Sequence, residues 1–157
     1  MKKQILAAAF ALYLVAATPA LAVTPSFSDV PSTHWAFSFV ETAAEHGWIS
    51  GYEDGTFGVN DQITYAQLST MLTRAFYNRE LEAYTAPSSA WYSTFCGVAE
   101  EAGLFDGTYA SGSSQDGSVV NKPINRYELA QILYNVLSDQ GAAVQYDAAS
   151  VQAGISD

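Results

Sequence analysis

The sequence predicts a mainly α-helical protein made of tandem helix–loop–helix repeats with short extended loop segments. Three observations predict it. The chain resembles itself: Pro31-Ser32-Thr33-His34-Trp35 returns 56 positions later as Pro87-Ser88-Ser89-Ala90-Trp91. Apolar residues recur at the three- and four-residue spacing of an amphipathic helix within each copy. Glycine-bearing turn sequences stand between those helical stretches.

The elements follow in chain order. Lys2 and Lys3 precede an uncharged apolar run from Ile5 to Ala17, and Ala20-Leu21-Ala22 supplies small residues for cleavage. Residues 1–22 are therefore expected to be a signal peptide that exports the chain. The run is short for a span of roughly 20 apolar residues, and Pro19 interrupts it, which argues against a membrane anchor. Removing it leaves Arg74, Arg79, Lys122 and Arg126 against sixteen acids, a formal charge of −12. Four dispersed cations build no basic patch, which argues against nucleic acid and against an anionic lipid surface as partners. Cys96 is the only cysteine, so the fold rests on an apolar core rather than on disulfides.

Residues 27–77 form the first repeat. Phe37, Val40 and Ala44 share one helical face, Ser32 or Thr33 is available as N-cap, and Gly47 stops the helix. Tyr52 to Phe57 reads as a turn with short extended flanks. A second helix starts at Thr64 with the stripe Leu68, Met71, Leu72, Ala75 and Phe76. A linker is expected over 78–86, then a divergent second repeat over 87–138. At an offset of 56, Gly47-Trp48-Ile49-Ser50-Gly51 meets Gly103-Leu104-Phe105-Asp106-Gly107, and Cys96 takes the core place of Val40. At an offset of 61, Asn60 to Leu68 meets Asn121 to Leu129. The extra residues fall in the Gly/Ser-rich stretch 107–118. The second stripe is Leu129, Ile132, Leu133, Val136 and Leu137. Thr64 with Gln67, and Asn125 with Glu128, have capping-box spacing. A linker is expected over 139–153. Gly154-Ile155-Ser156-Asp157 matches Ser26-Phe27-Ser28-Asp29 at an offset of 128, which predicts the start of a third repeat at 154–157.

Phe27-Ser28-Asp29-Val30-Pro31, His34-Trp35-Ala36, Gly47-Trp48-Ile49-Ser50-Gly51-Tyr52, Asp54-Gly55-Thr56-Phe57 and the helix ending Leu72-Thr73-Arg74-Ala75-Phe76 together resemble an S-layer homology repeat. The resemblance covers nearly all of 27–77 and, more loosely, 87–138. It implies part of a pseudo-threefold spindle of three repeats. It also implies a non-catalytic module that anchors surface proteins to secondary cell-wall polymer, often through pyruvylated sugars, at the cell wall or S-layer. The family's Thr-Arg-Ala-Glu motif opens the second helix. Here the first repeat has Thr64-Tyr65-Ala66-Gln67, without the arginine, and the second has Asn125-Arg126-Tyr127-Glu128, which keeps arginine and acid.

The residues support a site of that kind on their own chemistry. A helix start offers unpaired N–H groups and the positive end of the macrodipole, and an arginine there adds a fork that fits a carboxylate. Arg126, with Glu128, is the expected polymer-binding pair. Tyr65, Trp48 and Tyr52 are the expected aromatic contacts to a sugar ring. Each has a plainer structural reading, as cap or core. The chain carries no recognisable catalytic constellation: His34 and His46 lack metal-ligand spacing, and no phosphate loop or nucleophile elbow occurs. No cofactor and no metal are expected. The alternative to wall anchoring is a structural or protein-interaction module of the envelope that has lost polymer binding, or an accessory domain of a larger exported enzyme.

Overall fold

The computed structural model describes residues 25–142. The expected signal peptide, the segment 143–153 and the motif at 154–157 lie outside the described residues. Among the described residues six helices follow one another: α1 (Phe37–Glu45), α2 (Tyr65–Phe76), α3 (Asn78–Ala83), α4 (Ser93–Glu101), α5 (Gly117–Val120) and α6 (Arg126–Asp139). Among the described residues there is no strand. The turn expected from Tyr52 to Phe57 closes with the Tyr52 N–H donating to the Thr56 carbonyl at 2.8 Å, and an antiparallel bridge lies between Thr64 and Pro123, where the Ile124 N–H donates to the Ile63 carbonyl at 2.9 Å. That bridge ties the starts of α2 and α6 together.

The helices keep the register of the repeat. α1 and α4 stand 56 positions apart at both ends, and α2 and α6 begin 61 apart. The same local chemistry ends the first pair. Gly47 and Gly103 adopt φ of 72°, and the following Trp48 and Leu104 donate backward to Ala43 and Ala99, each at 2.9 Å. This is the 6→1 bond of a Schellman stop, and it needs a residue that tolerates the left-handed region.

The helix starts differ from expectation in one place. Neither Ser32 nor Thr33 caps α1, which begins after Ala36 without a side-chain cap. A turn from Pro31 to His34 leads in instead, and His34 Nδ1 accepts from the Ala36 N–H at 3.2 Å. Thr64 and Gln67 form the full reciprocal capping box at α2. At α6 only half of it forms. Asn125 accepts from the Glu128 N–H, while Glu128 Oε1 turns away to accept from the Tyr109 N–H at 3.0 Å. The expected linker 78–86 contains α3, because Asn78 to Ala83 is rich in helix formers and Leu81 packs on the main core.

Two cores result. A small one joins Phe27, Val30 and Val40 with Phe37, Ala44, Ile49 and Phe57, from the segment before α1, α1 itself and the loop that follows it. The larger one joins α2 to the second repeat through Leu68, Leu72, Cys96, Val98, Phe105, Ile132 and Val136. The most extensive helix packing is α2 on α4, across the repeat boundary. Each fully buried Val or Ile there contributes about 1.5–3 kcal/mol relative to exposure. Cys96 is free and wholly buried, as its match to Val40 predicted, and burial pushes its thiol pKa up to about 12.

Candidate functional site

The loop between α1 and α2, the outer face of α2 and the start of repeat 2 enclose a groove of roughly 690 Å³. Its walls are aromatic: Trp48 and Tyr52 from the loop, Trp91 and Phe95 from repeat 2. Gly51 makes the loop possible. It sits at φ of 65°, and a Cβ there would collide with the Phe27 ring and lie 2.6 Å from the Thr56 carbonyl oxygen. Trp48 is half-buried with its ring stacked on His46, centroids 4.7 Å apart. The Tyr52 hydroxyl accepts from Gln67 Nε2 at 3.0 Å, which ties the loop to the capping residue of α2.

Arg74 is the one cation among the lining residues, and Asp61 is the one carboxylate. The Arg74 guanidinium lies 5.2 Å from the Phe95 ring centroid, and its Nη1 donates to Ser50 Oγ at 3.1 Å. Its other donors have no acceptor among the described residues. A guanidinium held on an aromatic face, with free donors in a groove, is suited to a planar anion such as a carboxylate. The remaining wall offers amide and hydroxyl groups from Gln62, Gln67 and Thr70. A groove with flat apolar faces, a few polar groups and one cation can hold a sugar that carries one acidic substituent.

The residues expected from sequence separate into three places. Trp48 and Tyr52 line the groove. Arg126 stands exposed at the first position of α6, beside the exposed Tyr127, and is not among the lining residues. Tyr65 and Glu128 are buried between the repeats. Tyr65 is 1% exposed, its ring edge-on to Phe105 at 6.1 Å, so no face is open to a sugar. Sugar stacking by Tyr65 is therefore corrected to a core role: it starts α2 on the side that the second repeat covers. Its hydroxyl faces the Glu128 carboxylate without completing a hydrogen bond of good geometry, and burial with that carboxylate beside it pushes the hydroxyl pKa up. Burial acts to raise Glu128, but the nearby Tyr65 hydroxyl and the hydrogen bonds at Tyr109 and Asn125 outweigh it and hold the carboxyl below its usual range. Glu128 thus spends its oxygens on the protein, accepting from Tyr109 N–H and from Asn125 Nδ2 at 2.8 Å.

Arg74, Trp91 and Phe95 are the site residues that the sequence did not single out. Arg74 stood in the sequence only as part of the motif Leu72-Thr73-Arg74-Ala75-Phe76 and on the polar side of an apolar stripe, which is ordinary for a surface helix. The groove exists because two repeats meet, and no single repeat announces it.

The sequence pattern of the S-layer homology domain matches residues 26–69. That stretch is similar to the S-layer homology domain. An S-layer protein of Bacillus thuringiensis subsp. finitimus is 29% identical over 138 residues, 83% of this chain and 16% of that relative. The outer membrane protein SlpA of Thermus thermophilus is 41% identical over 63 residues, 40% of this chain and 7% of that protein. The middle cell wall protein of Brevibacillus brevis is 38% identical over 50 residues, 32% of this chain and 5% of its own length. This chain therefore spans about a sixth of the Bacillus relative's length, and the S-layer homology domain match falls on the repeat that supplies the groove's loop and its arginine. Among the described residues no helix is long and apolar enough to cross a membrane, and no cluster of His, Cys, Asp or Glu could hold a metal ion.

Proposed function

We propose that the chain is a non-catalytic anchoring module that holds an exported protein at the cell surface by binding secondary cell-wall polymer. The observation that carries this reading is Arg74 on the Phe95 face, inside an aromatic groove at the seam of two repeats. The polymer unit is a sugar bearing a carboxylate, such as a pyruvate ketal. Arg74 takes the carboxylate, and Trp48 and Trp91 offer flat faces to the ring. Tyr52 and Gln67 brace the wall between them. Arg126, exposed at the start of α6 with the free N–H groups of that helix turn, is a second point of contact for the same polymer.

The formal charge of −12 left once residues 1–22 are removed opposes an anionic polymer, yet screening beyond about 10 Å at 0.1 M salt confines that repulsion to near charges. Recognition then rests on the local donors. Co-sedimentation with purified wall sacculi, before and after chemical removal of the polymer, tests the reading. The parent should sediment only with intact sacculi, and Arg74→Ala should lose most of that binding with its thermal midpoint unchanged. Equal binding by the parent to stripped and intact walls would overturn the polymer as ligand.

A further inference from the structure

We infer that Asp61 is the specificity-determining residue of the groove: it accepts from the uncharged O–H or N–H donors of one sugar ring while Arg74 holds the acid of its neighbour, and so it rejects a glycan that is acidic on both rings. This inference rests on the polymer-binding reading of the same groove and says which polymers that groove admits.

The two charges stand at opposite ends of the groove. Asp61 lies three residues before Thr64, the N-cap of α2, whereas Arg74 lies in the last turn of that helix. Thr64 and Arg74 are separated by roughly 15 Å of helix rise. Arg74 is engaged by Ser50 and Phe95 rather than by Asp61. The Asp61 side chain is exposed, lines the groove and accepts no hydrogen bond among the described residues. A glycan whose acid lies on Arg74 therefore turns its next ring toward Asp61.

The place of that carboxylate is built by its neighbours. The Asp61 N–H donates to the Gly58 carbonyl at 2.9 Å. Gly58 sits at φ of 82°, and a Cβ there would lie 2.6 Å from Asp61 Oδ2 and 2.7 Å from Tyr52 Cε2. The bare glycine thus lets the carboxylate stand beside the Tyr52 ring, which Gln67 holds by its hydroxyl. A sugar laid along that ring meets the carboxylate with its hydroxyl or amide hydrogens. An ionised carboxylate only accepts, so it takes those donors and repels a second acid put in their place.

The second copy shows that the fold does not need this charge. Lys122 holds the place of Asp61 at an offset of 61. Its Nζ lies 4.4 Å from the Tyr109 ring centroid and donates to the Tyr109 hydroxyl at 2.6 Å. A cation thus stands beside a loop tyrosine where the first copy sets an acid. Asn135 replaces Arg74 and spends its Nδ2 on the Leu104 and Asp106 carbonyls, at 3.0 and 2.9 Å. Among the described residues the pairing of acid and cation across a groove belongs to the first copy, and packing does not impose it.

Titration calorimetry with two synthetic disaccharides is the test. One carries a pyruvate ketal on the first ring and a neutral second ring. The other is the same compound with the second ring oxidised to a uronic acid. The parent should bind the first at least about tenfold more tightly. Asp61→Asn keeps the shape without the charge and should narrow that preference to within about threefold, by gaining the diacid. Asp61→Lys should prefer the diacid. Both variants should keep the parent's circular dichroism and thermal midpoint, since a lysine is already accommodated at the matching position. A parent that binds both probes equally, or an Asp61→Asn variant that keeps the parent's preference, would overturn the inference and leave the groove a polymer site. A parent that binds neither would remove the polymer reading and this inference with it.

Discussion

The Asp29 carboxylate clasps the backbone of Phe57 from across the first repeat. Oδ1 accepts from the Phe57 N–H at 2.7 Å, and Oδ2 accepts from Gly58 and Val59 at 2.8 and 3.2 Å. These N–H groups hold the Asp29 carboxyl below its usual range, the Phe57 bond contributing most. The clasp fixes the loop that carries Tyr52 into the groove.

The first prediction follows from that clasp. A carboxyl with a lowered folded pKa adds stability above its unfolded value near 3.8, and that part is lost as pH falls through the folded value. Asp29→Asn should lower the thermal midpoint at pH 7 and flatten its decline between about pH 5 and 2. Differential scanning calorimetry across that range checks both. Parallel curves for parent and variant would show that the clasp carries no proton linkage.

Arg74 should discriminate by shape as well as charge. Arg74→Ala should weaken binding to wall polymer by on the order of 1.5–3 kcal/mol, about ten- to a hundredfold, the cost of a charged hydrogen bond. Arg74→Lys should restore only part, because an ammonium lacks the planar fork. Titration calorimetry with soluble polymer fragments measures the series. Full recovery by lysine would make Arg74 a point charge only.

Tyr65→Arg restores the family's residue at the start of α2 and should nonetheless destabilise this chain. The position is 1% exposed beside Phe105, so the guanidinium would be buried with Glu128 as its nearest counter-charge. A loss of about 3 kcal/mol or more in urea unfolding is expected. A neutral or stabilising result would mean that the core at this seam opens to admit the cation.

Gly51→Ala should cost more than about 1 kcal/mol, since φ is 65° and the new methyl would press on Phe27 and the Thr56 carbonyl. Urea midpoints decide this, with Gly47→Ala as comparison, where φ is 72° but nothing lies within 4 Å of the added carbon. If both variants lose the same stability, the strain is conformational alone and the close approach to Phe27 is immaterial.

Cys96 should resist thiol reagents until the protein opens. The side chain is wholly buried and its thiol pKa is raised to about 12, so the native state holds essentially no reactive thiolate at pH 8. Labelling rates measured against urea should track global unfolding. Rapid labelling of native protein would place the α2–α4 seam among locally opening regions.

Much of the fold was legible because helix boundaries are written locally. Gly47 and Gly103 stop helices at matching positions, and Thr64 with Gln67 closes the capping box that their spacing announced. The stripe Ile132 and Val136 is buried as its period required, but Leu133 and Leu137 of the same stripe are not, since burial depends on a neighbour and not on period. The site was half legible for a similar reason. Trp48 and Tyr52 line the groove, whereas Tyr65 shares their aromatic chemistry and lies in the core. Composition cannot tell an aromatic face turned to solvent from one turned to Phe105. Arg74 and Trp91 become partners only when α2 of one repeat meets α4 of the next.

That seam sets the unit of inheritance against the unit of folding. The sequence repeats from Phe27 and again from Pro87, yet the larger core binds α2 of the first copy to the helices of the second. A genetic exchange at the copy boundary, between Tyr77 and Pro87, would keep each motif whole and cut the packed body in two. Exchange within the loop between α1 and α2 would do the reverse. Lineages that shuffle such copies are therefore expected to preserve α2 and α4 as a pair of compatible surfaces, while the α1 loop, with its own small core, is free to change the face it turns to the groove.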